Sequence, residues 1–254
     1  MKHQRSSVAA AAVLVALLLG VAACSSSSDS AGSDQTTTTA ASGGSTTTKP
    51  TSGAGPLVGT FKVTAGACTS GADVKGTYFR MVNAGGTPAK GPYVANADST
   101  CTDKTYSALQ PGTDGGLTTG AYQPQPSDPF DATKNGVADK IIEPVKFFAV
   151  GFAASTNAKD PETGKAVPEP TISVDENGKL TGKVAAVSVA WNGQQFNQGA
   201  PKPDGSSPGA TAALTGTYDA KTGAYELEWA SQIVGGPFDG FTGVWHFEGT
   251  FAKS

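Results

Sequence analysis

Residues 241 to 251 read Phe-Thr-Gly-Val-Trp-His-Phe-Glu-Gly-Thr-Phe, and their side chains sort by parity. Odd positions carry Phe241, Trp245, Phe247 and Phe251, with Gly243 and Gly249 between them; even positions carry Thr242, Val244, His246, Glu248 and Thr250. Successive side chains of a strand point to opposite faces, whereas a helix repeats every 3.6 residues. Eleven residues of period two therefore predict a strand. The parity puts the aromatics into a core and turns His246 to the other face, beside Glu248.

The same period governs much of the chain. In "TGTYDAKTGAYELEW" (215–229), Asp219 to Gly223 predicts a hairpin loop with Gly223 left-handed. Beyond it Tyr225, Leu227 and Trp229 share one face, and Glu226 and Glu228 the other. In "SVDENGKLTGKVAAVSVAW" (173–191), Asn177-Gly178 is a preferred two-residue turn. The apolar parity then changes between Val184 and Val187, which predicts a bulge near Ala185 or Ala186. "LVGTFKVTAG" (57–66) and "KGTYFRMVN" (75–83) read as strands, and the uniformly apolar "VKFFAVGFAAS" (145–155) as a central, covered strand. Gly-Thr-aromatic recurs at 59–61, 76–78, 216–218 and 249–251, placing Gly where backbones approach or the sheet bends. Residues 122–144 carry four prolines and room for one helical turn; 197–211 is a long Pro/Gly loop. No stretch of the domain shows an extended 3.6 period. The expected fold is all-β, a single antiparallel meander-type barrel or sandwich with long loops.

The N-terminus is built differently. Lys2 and Arg5 precede an uncharged run, Val8 to Ala23, which is shorter than the ~20 apolar residues of a membrane span and suits the apolar core of a signal peptide. The run ends Val21-Ala22-Ala23-Cys24. Small residues followed by Cys resemble the lipobox of bacterial lipoproteins. That resemblance implies that residues 1–23 are removed and that Cys24 becomes a lipid-modified N-terminus. An ordinary secretory signal with a Cys at the cut is the alternative. Residues 24–55 are rich in Ser, Thr and Gly with almost no large apolar side chain, so they read as a disordered linker with a reach of roughly 30 Å. Residues 56–254 are one domain by size. The expected location is the extracytoplasmic face of the cell membrane.

Without residues 1–23 the chain carries a net charge of −5, and its one arginine is Arg80. Nucleic-acid binding needs a basic stripe and is set aside on that ground. With Cys24 lipidated, Cys68 and Cys101 remain, and an even pair in an exported chain predicts a disulfide, with two free thiols as the alternative.

Four stretches could carry chemistry. Asp131, Thr133 and Asn135 fall at positions 1, 3 and 5 of a loop with Gly136 at position 6 and Asp139 at position 9. Alternating oxygen donors around a tight Gly turn suit calcium, and the pattern resembles the loops of EF-hand and thrombospondin-type repeats. It departs from the EF-hand at position 12, where Ile142 stands in place of Glu; the other reading is an Asn-Gly turn leading into a short helix. Gly205-Ser206-Ser207-Pro208-Gly209 matches G-x-S-x-G, yet a Ser207 nucleophile would need a strand-to-helix elbow that a Pro-flanked loop does not offer. Glu226 and Glu228 lie on one strand face, which suits either paired-carboxylate hydrolysis or a solvated surface. His246 with Glu248 could form a pH-responsive or binding face, or a plain surface pair.

The closing segment "IVGGPFDGFTGVWHFEGTF" (233–251) is similar to the ends of β-rich domains of uncharacterised secreted and surface bacterial proteins, which implies fold more than activity. "LTGTY" (214–218) and "VSVAWNGQ" (187–194) are similar to strands of small ligand-binding meander barrels such as the avidins. Trp191, Trp229 and Trp245 could then wall a pocket. The expected role is a lipid-anchored binding module, not an enzyme, that takes an unidentified ligand or envelope partner and no cofactor beyond the calcium the loop would hold. A passive envelope lipoprotein and a carboxylate-dependent hydrolase are the alternatives.

Overall fold

The computed structural model describes residues 53–69 and 74–254. The expected signal peptide, Cys24 and the linker through residue 52 lie outside the described residues.

Strands follow one another as β1 (Gly55–Leu57), β2 (Gly59–Val63), β3 (Ala67–Cys68), β4 (Val74–Lys75), β5 (Tyr78–Thr87), β6 (Gly91–Tyr93), β7 (Ser107–Ala108) and β8 (Gly116–Thr119). Next come β9 (Val145–Phe147), β10 (Val150–Thr156), β11 (Thr171–Val174), β12 (Lys179–Lys183), β13 (Val187–Trp191) and β14 (Gln194–Asn197). The chain ends with β15 (Ala212–Tyr218), β16 (Ala224–Gln232) and β17 (Thr242–Lys253). Among the described residues there is no α-helix, only a 3₁₀ turn at Gly236–Phe238.

The main sheet runs β1-β11-β12-β15-β16-β17-β2-β8, antiparallel throughout. Its first strand and its last-but-one are the same stretch of chain, interrupted only at Val58. Residues 55–57 pair with β11, and residues 59–63 pair with β17 and β8. β8 and β11 meet end to end, where Gly120 N donates to Pro170 O at 3.1 Å. The Thr119 hydroxyl spans the break, donating to Leu57 O at 2.6 Å. The sheet thus nearly closes into an antiparallel barrel, which leaves few bare edges.

The long β17 changes neighbour along its length. Residues 242–246 pair with β5 and residues 249–253 with β2. Gly249 marks the change, with φ of 159°, and a side chain there would run into Lys62 O. Two of the Gly-Thr-aromatic glycines, Gly59 and Gly249, therefore stand where a strand swaps partners.

A second sheet, β14-β13-β10-β9, lies against the upper half of β17 and β5. Phe79 of β5 contacts Phe147 and Phe152 at ring-centroid distances of 6.0 and 5.2 Å, and Phe152 meets Trp245 at 6.1 Å. One core thus runs from the barrel, through Phe61, Leu180, Leu227 and Phe247, into the space between the sheets.

Four local expectations are corrected. "VKFFAVGFAAS" is a hairpin, not one strand. Phe148 and Ala149 adopt φ of 51° and 64° and form its two-residue turn, leaving Phe148 exposed. The turn at 175–178 is closed by the Asp175 carboxylate, which accepts from Asn177 N and Lys179 N, and only Gly178 has positive φ. Residues 184–186 form no bulge; they carry the chain from β12 in the barrel to β13 in the second sheet. Residues 122–144 contain no helical turn.

Candidate functional site

Where the two sheets face each other they do not meet fully. Phe79 and Met81 of β5, Phe147 of β9, Phe152 of β10, Val189 and Trp191 of β13 and Phe196 of β14 wall a slot, roofed by Ile233 and Phe238 from the β16–β17 connection. Unfilled space, mouth included, amounts to about 440 Å³, but only about 40 Å³ is wide enough to admit a water-sized group. The slot is closed down rather than standing open.

Period-two alternation places these walls. Val189 and Trp191 share one face of β13, and Phe79 and Met81 share one face of β5. Polar groups are kept out by being satisfied elsewhere. Trp191 Nε1 donates to Phe147 O at 2.7 Å, which fixes the indole at the mouth with its ring 5.3 Å from Phe238. Gln198, the one polar side chain in the lining, is committed at both ends. Its Nε2 donates to Asn197 O, and its Oε1 accepts from Trp245 Nε1 at 3.2 Å. Gln198 O accepts from Trp229 Nε1 at 2.9 Å. Trp229 and Trp245 lie stacked at 5.6 Å behind this residue, fully in the core. Of the three tryptophans expected to wall a pocket, Trp191 lines the slot and the other two support its floor.

Beside the mouth lies an open depression, with about 430 Å³ wide enough to admit a water-sized group, lined by Pro161, Glu162, Gly193, Gln194, Gln195, Phe196 and Val234–Gly236. Under it runs a polar network with no counterpart in the sequence reading. Lys202 is buried, and its Nζ donates to Asn197 O and Ser231 Oγ, both at 2.8 Å. Desolvation pulls this lysine down to about 8, although Glu162, Asp160 and Asp204 favour its charge. Glu162 Oε2 accepts from Asn197 N at 2.6 Å, and burial pushes its carboxyl above the usual range. Asp160, almost fully buried, accepts from Asn197 Nδ2 at 2.9 Å and from the Thr163 hydroxyl. A Pro-flanked lysine in a loop carries no periodic signal; only contact with distant strands makes it a core residue.

His246 lies on the face opposite Trp245, as parity requires, but it is not a surface residue: its side chain is 11 % exposed. Tyr78 stacks on the ring at 4.4 Å. Nδ1 stands 3.9 Å from Glu226 and 4.0 Å from Glu228, and Nε2 stands 3.8 Å from Glu248. The three carboxylates are the more exposed partners, and Glu248 is held by Gly76 N at 2.6 Å. Burial, reinforced by Glu228, pushes the Tyr78 hydroxyl up to about 12. Farther along this outer face the Arg80 guanidinium lies between the rings of Tyr93 and Tyr106, 3.2 and 4.1 Å from their centroids. Glu226 and Glu228 thus face His246 across the ladder; Glu226 also borders, with Glu248, a shallow depression that Glu228 does not line. His246 and Glu248 share no face with the tryptophans.

The loop at 131 brings three of its four expected ligands together. Asp131 accepts from Thr133 N, Thr133 Oγ1, Asn135 N and Asn135 Nδ2 at 2.8–3.0 Å, and these bonds, Asn135 first, draw its carboxyl down to about 2. Asn135 Oδ1 is turned away to accept from Gly151 N at 2.7 Å. Asp139 is exposed, and its carbonyl accepts from Thr113 N at 2.7 Å, outside this turn. Among the described residues no group of three or more His, Cys, Asp or Glu is arranged to hold a metal ion. Ser207 is exposed in its loop, away from any strand-to-helix elbow. Cys68 and Cys101 are joined as a disulfide with Cα atoms 4.9 Å apart.

No family model, no curated protein and no solved structure matches the chain.

Proposed function

We propose that this chain is a lipid-anchored, extracytoplasmic binding module of the cell membrane. In this reading Cys24 carries the lipid, and the Ser/Thr-rich linker holds the β domain clear of the surface. The slot between the sheets takes an apolar group of the ligand. The observation that carries the reading is the slot's lining: hydrocarbon and aromatic walls, with Gln198 as the one polar side chain there among the described residues, bonded at both its amide oxygen and its amide nitrogen. Binding sites tend to be concave, apolar and placed between layers.

The test uses the uncharged fluorophore N-phenyl-1-naphthylamine and the purified domain with its disulfide intact. Saturable enhancement of the dye is expected, together with quenching of Trp191. Ile233→Trp, which fills the slot, should abolish it, and Phe238→Ala, which opens the mouth, should change it; melting curves confirm that both variants fold. Absence of enhancement, or enhancement indifferent to both substitutions, would favour the passive envelope role. The tether is checked separately by intact mass: the mature chain should begin at a diacylglyceryl-modified Cys24.

A further inference from the structure

The slot and the depression beside it share a wall, Phe196 of β14, and share the segment that roofs them. Ile233 and Phe238 face the slot, while Val234, Gly235 and Gly236 border the depression. The two spaces have opposite chemistry. Inside the slot the lining is hydrocarbon and aromatic apart from Gln198, whose amide already bonds to Asn197 O and Trp245 Nε1, so the part that enters should be hydrocarbon; a hydroxyl or charge there would lose most of its water without replacement. Only about 40 Å³ of the slot admits a water-sized group, so a slim part enters with the least displacement, and its entry must lift the roof. The depression offers Glu162, Gln194, Gln195 and the backbone of three glycines. These are hydrogen-bonding groups suited to a hydrated partner.

We propose that the ligand is an amphiphile, with one unbranched hydrocarbon limb in the slot and an uncharged, hydroxyl-rich head in the depression. This rests on the slot being a binding site, as argued above. The charge of the lining selects the head. Among the described residues, Glu162 is the one ionisable residue lining the depression, and no Lys or Arg lines either space. Lys202, which couples electrostatically to Glu162, is buried behind the lining and spends its ammonium on Asn197 O and Ser231 Oγ. An anionic head would meet that carboxylate directly, while the nearest cation, Lys202, stays behind the lining with its ammonium engaged by the protein. A sugar or glycerol hydroxyl can donate to that carboxylate and accept from the glutamine amides.

Displacement of N-phenyl-1-naphthylamine below the micellar range decides the matter with three probes: n-octyl β-glucoside, n-octyl sulfate and methyl β-glucoside. Octyl glucoside should displace the dye at least about tenfold more effectively than octyl sulfate, as expected when a like charge is brought to a partly desolvated site. Methyl glucoside, lacking the limb, should not compete. Glu162→Lys should reverse the order of the two octyl compounds, and Glu162→Gln, which keeps an acceptor, should retain octyl glucoside. Equal displacement by both octyl compounds, with Ile233→Trp abolishing both, would overturn the head assignment and leave the slot reading intact. Dye binding that neither octyl compound disturbs would overturn the amphiphile. Failure of both the dye and octyl glucoside, the latter followed through tryptophan fluorescence, to bind would remove the slot reading on which the inference stands.

Discussion

At the scale of single residues, the groups that matter most are those whose surroundings contradict their type. Lys202 is a lysine in the core, and its titration has a testable sign. Folding lowers it from 10.5 to about 8, so between those values the unfolded chain holds a proton the folded chain lacks. Stability from this group therefore rises with pH across that window, by roughly 3 kcal/mol at full extent. Tyr78 acts in the opposite sense. Its value rises from 10.0 to about 12, so above pH ~10 the unfolded chain loses a proton that the folded chain keeps, and stability falls. Urea unfolding from pH 7 to 11 should show stability climbing from about 8 and turning down above about 10. Lys202→Met should remove the climb and keep the fall; Tyr78→Phe should weaken the fall and keep the climb. An unchanged climb in Lys202→Met would mean that the lysine is hydrated rather than buried. His246 belongs to the same class. A flat ring that stacks on Tyr78 while its two nitrogens face three carboxylates suits histidine better than any other side chain, which accounts for its presence at this position.

At the scale of elements, what could be read from sequence was whatever alternates. The parity of Tyr225, Leu227 and Trp229, and of Trp245 and Phe247, is the parity of the core. The Asp219–Gly223 loop forms with Gly223 at φ of 75°. Legibility failed where tertiary contact replaces local signal. Val184 to Val187 changes parity because the chain changes sheets, and no propensity encodes that. Lys202 and Glu162, some 40 residues apart, meet only through β14. The hairpin at 147–150 has no turn residues at all. Phe148 and Ala149 take a left-handed conformation that ordinarily selects Asn-Gly, and Asp98 secures it by accepting from Ala149 N. Such a conformation costs a residue with a Cβ about 1 kcal/mol each. The double variant Phe148→Asn, Ala149→Gly should therefore be more stable than the natural chain by about 1–2 kcal/mol, read as a raised urea midpoint at unchanged slope. A lowered midpoint would show that the exposed Phe148 ring, packed against Phe147 at 4.9 Å, contributes more than the turn strain removes.

At the scale of the whole molecule, the fold is a barrel whose closure depends on a few residues and whose second sheet is an outgrowth of its connections. The strand at 55–63 serves both ends of the ladder, and β17 serves two neighbours in succession, so one β barrel and one sandwich share a single core. The region β3 through β7 combines the ten-residue β5 with the two-residue strands β3, β4 and β7. It is there that Cys68 joins the β3–β4 hairpin to Cys101, a buried residue in the loop before β7. Closing a loop with a sequence separation of 33 restricts the unfolded chain and contributes on the order of 3–4 kcal/mol. Reduction should then lower the melting temperature by roughly 10 °C in a domain of this size. The loss should fall first on β3, β4 and β7, because β3 and β4 form a two-stranded sheet of their own and β7 joins the main sheet only through β5. Hydrogen exchange on the reduced protein should show early opening of β3, β4 and β7, with β15, β16 and the second half of β17 protected. The slot walls Phe79 and Met81 stand on β5, which pairs with β7 and with the first half of β17. Dye binding should therefore weaken on reduction before the barrel melts. If binding and barrel were lost together, the disulfide would be bracing the whole fold and not the wall of the slot.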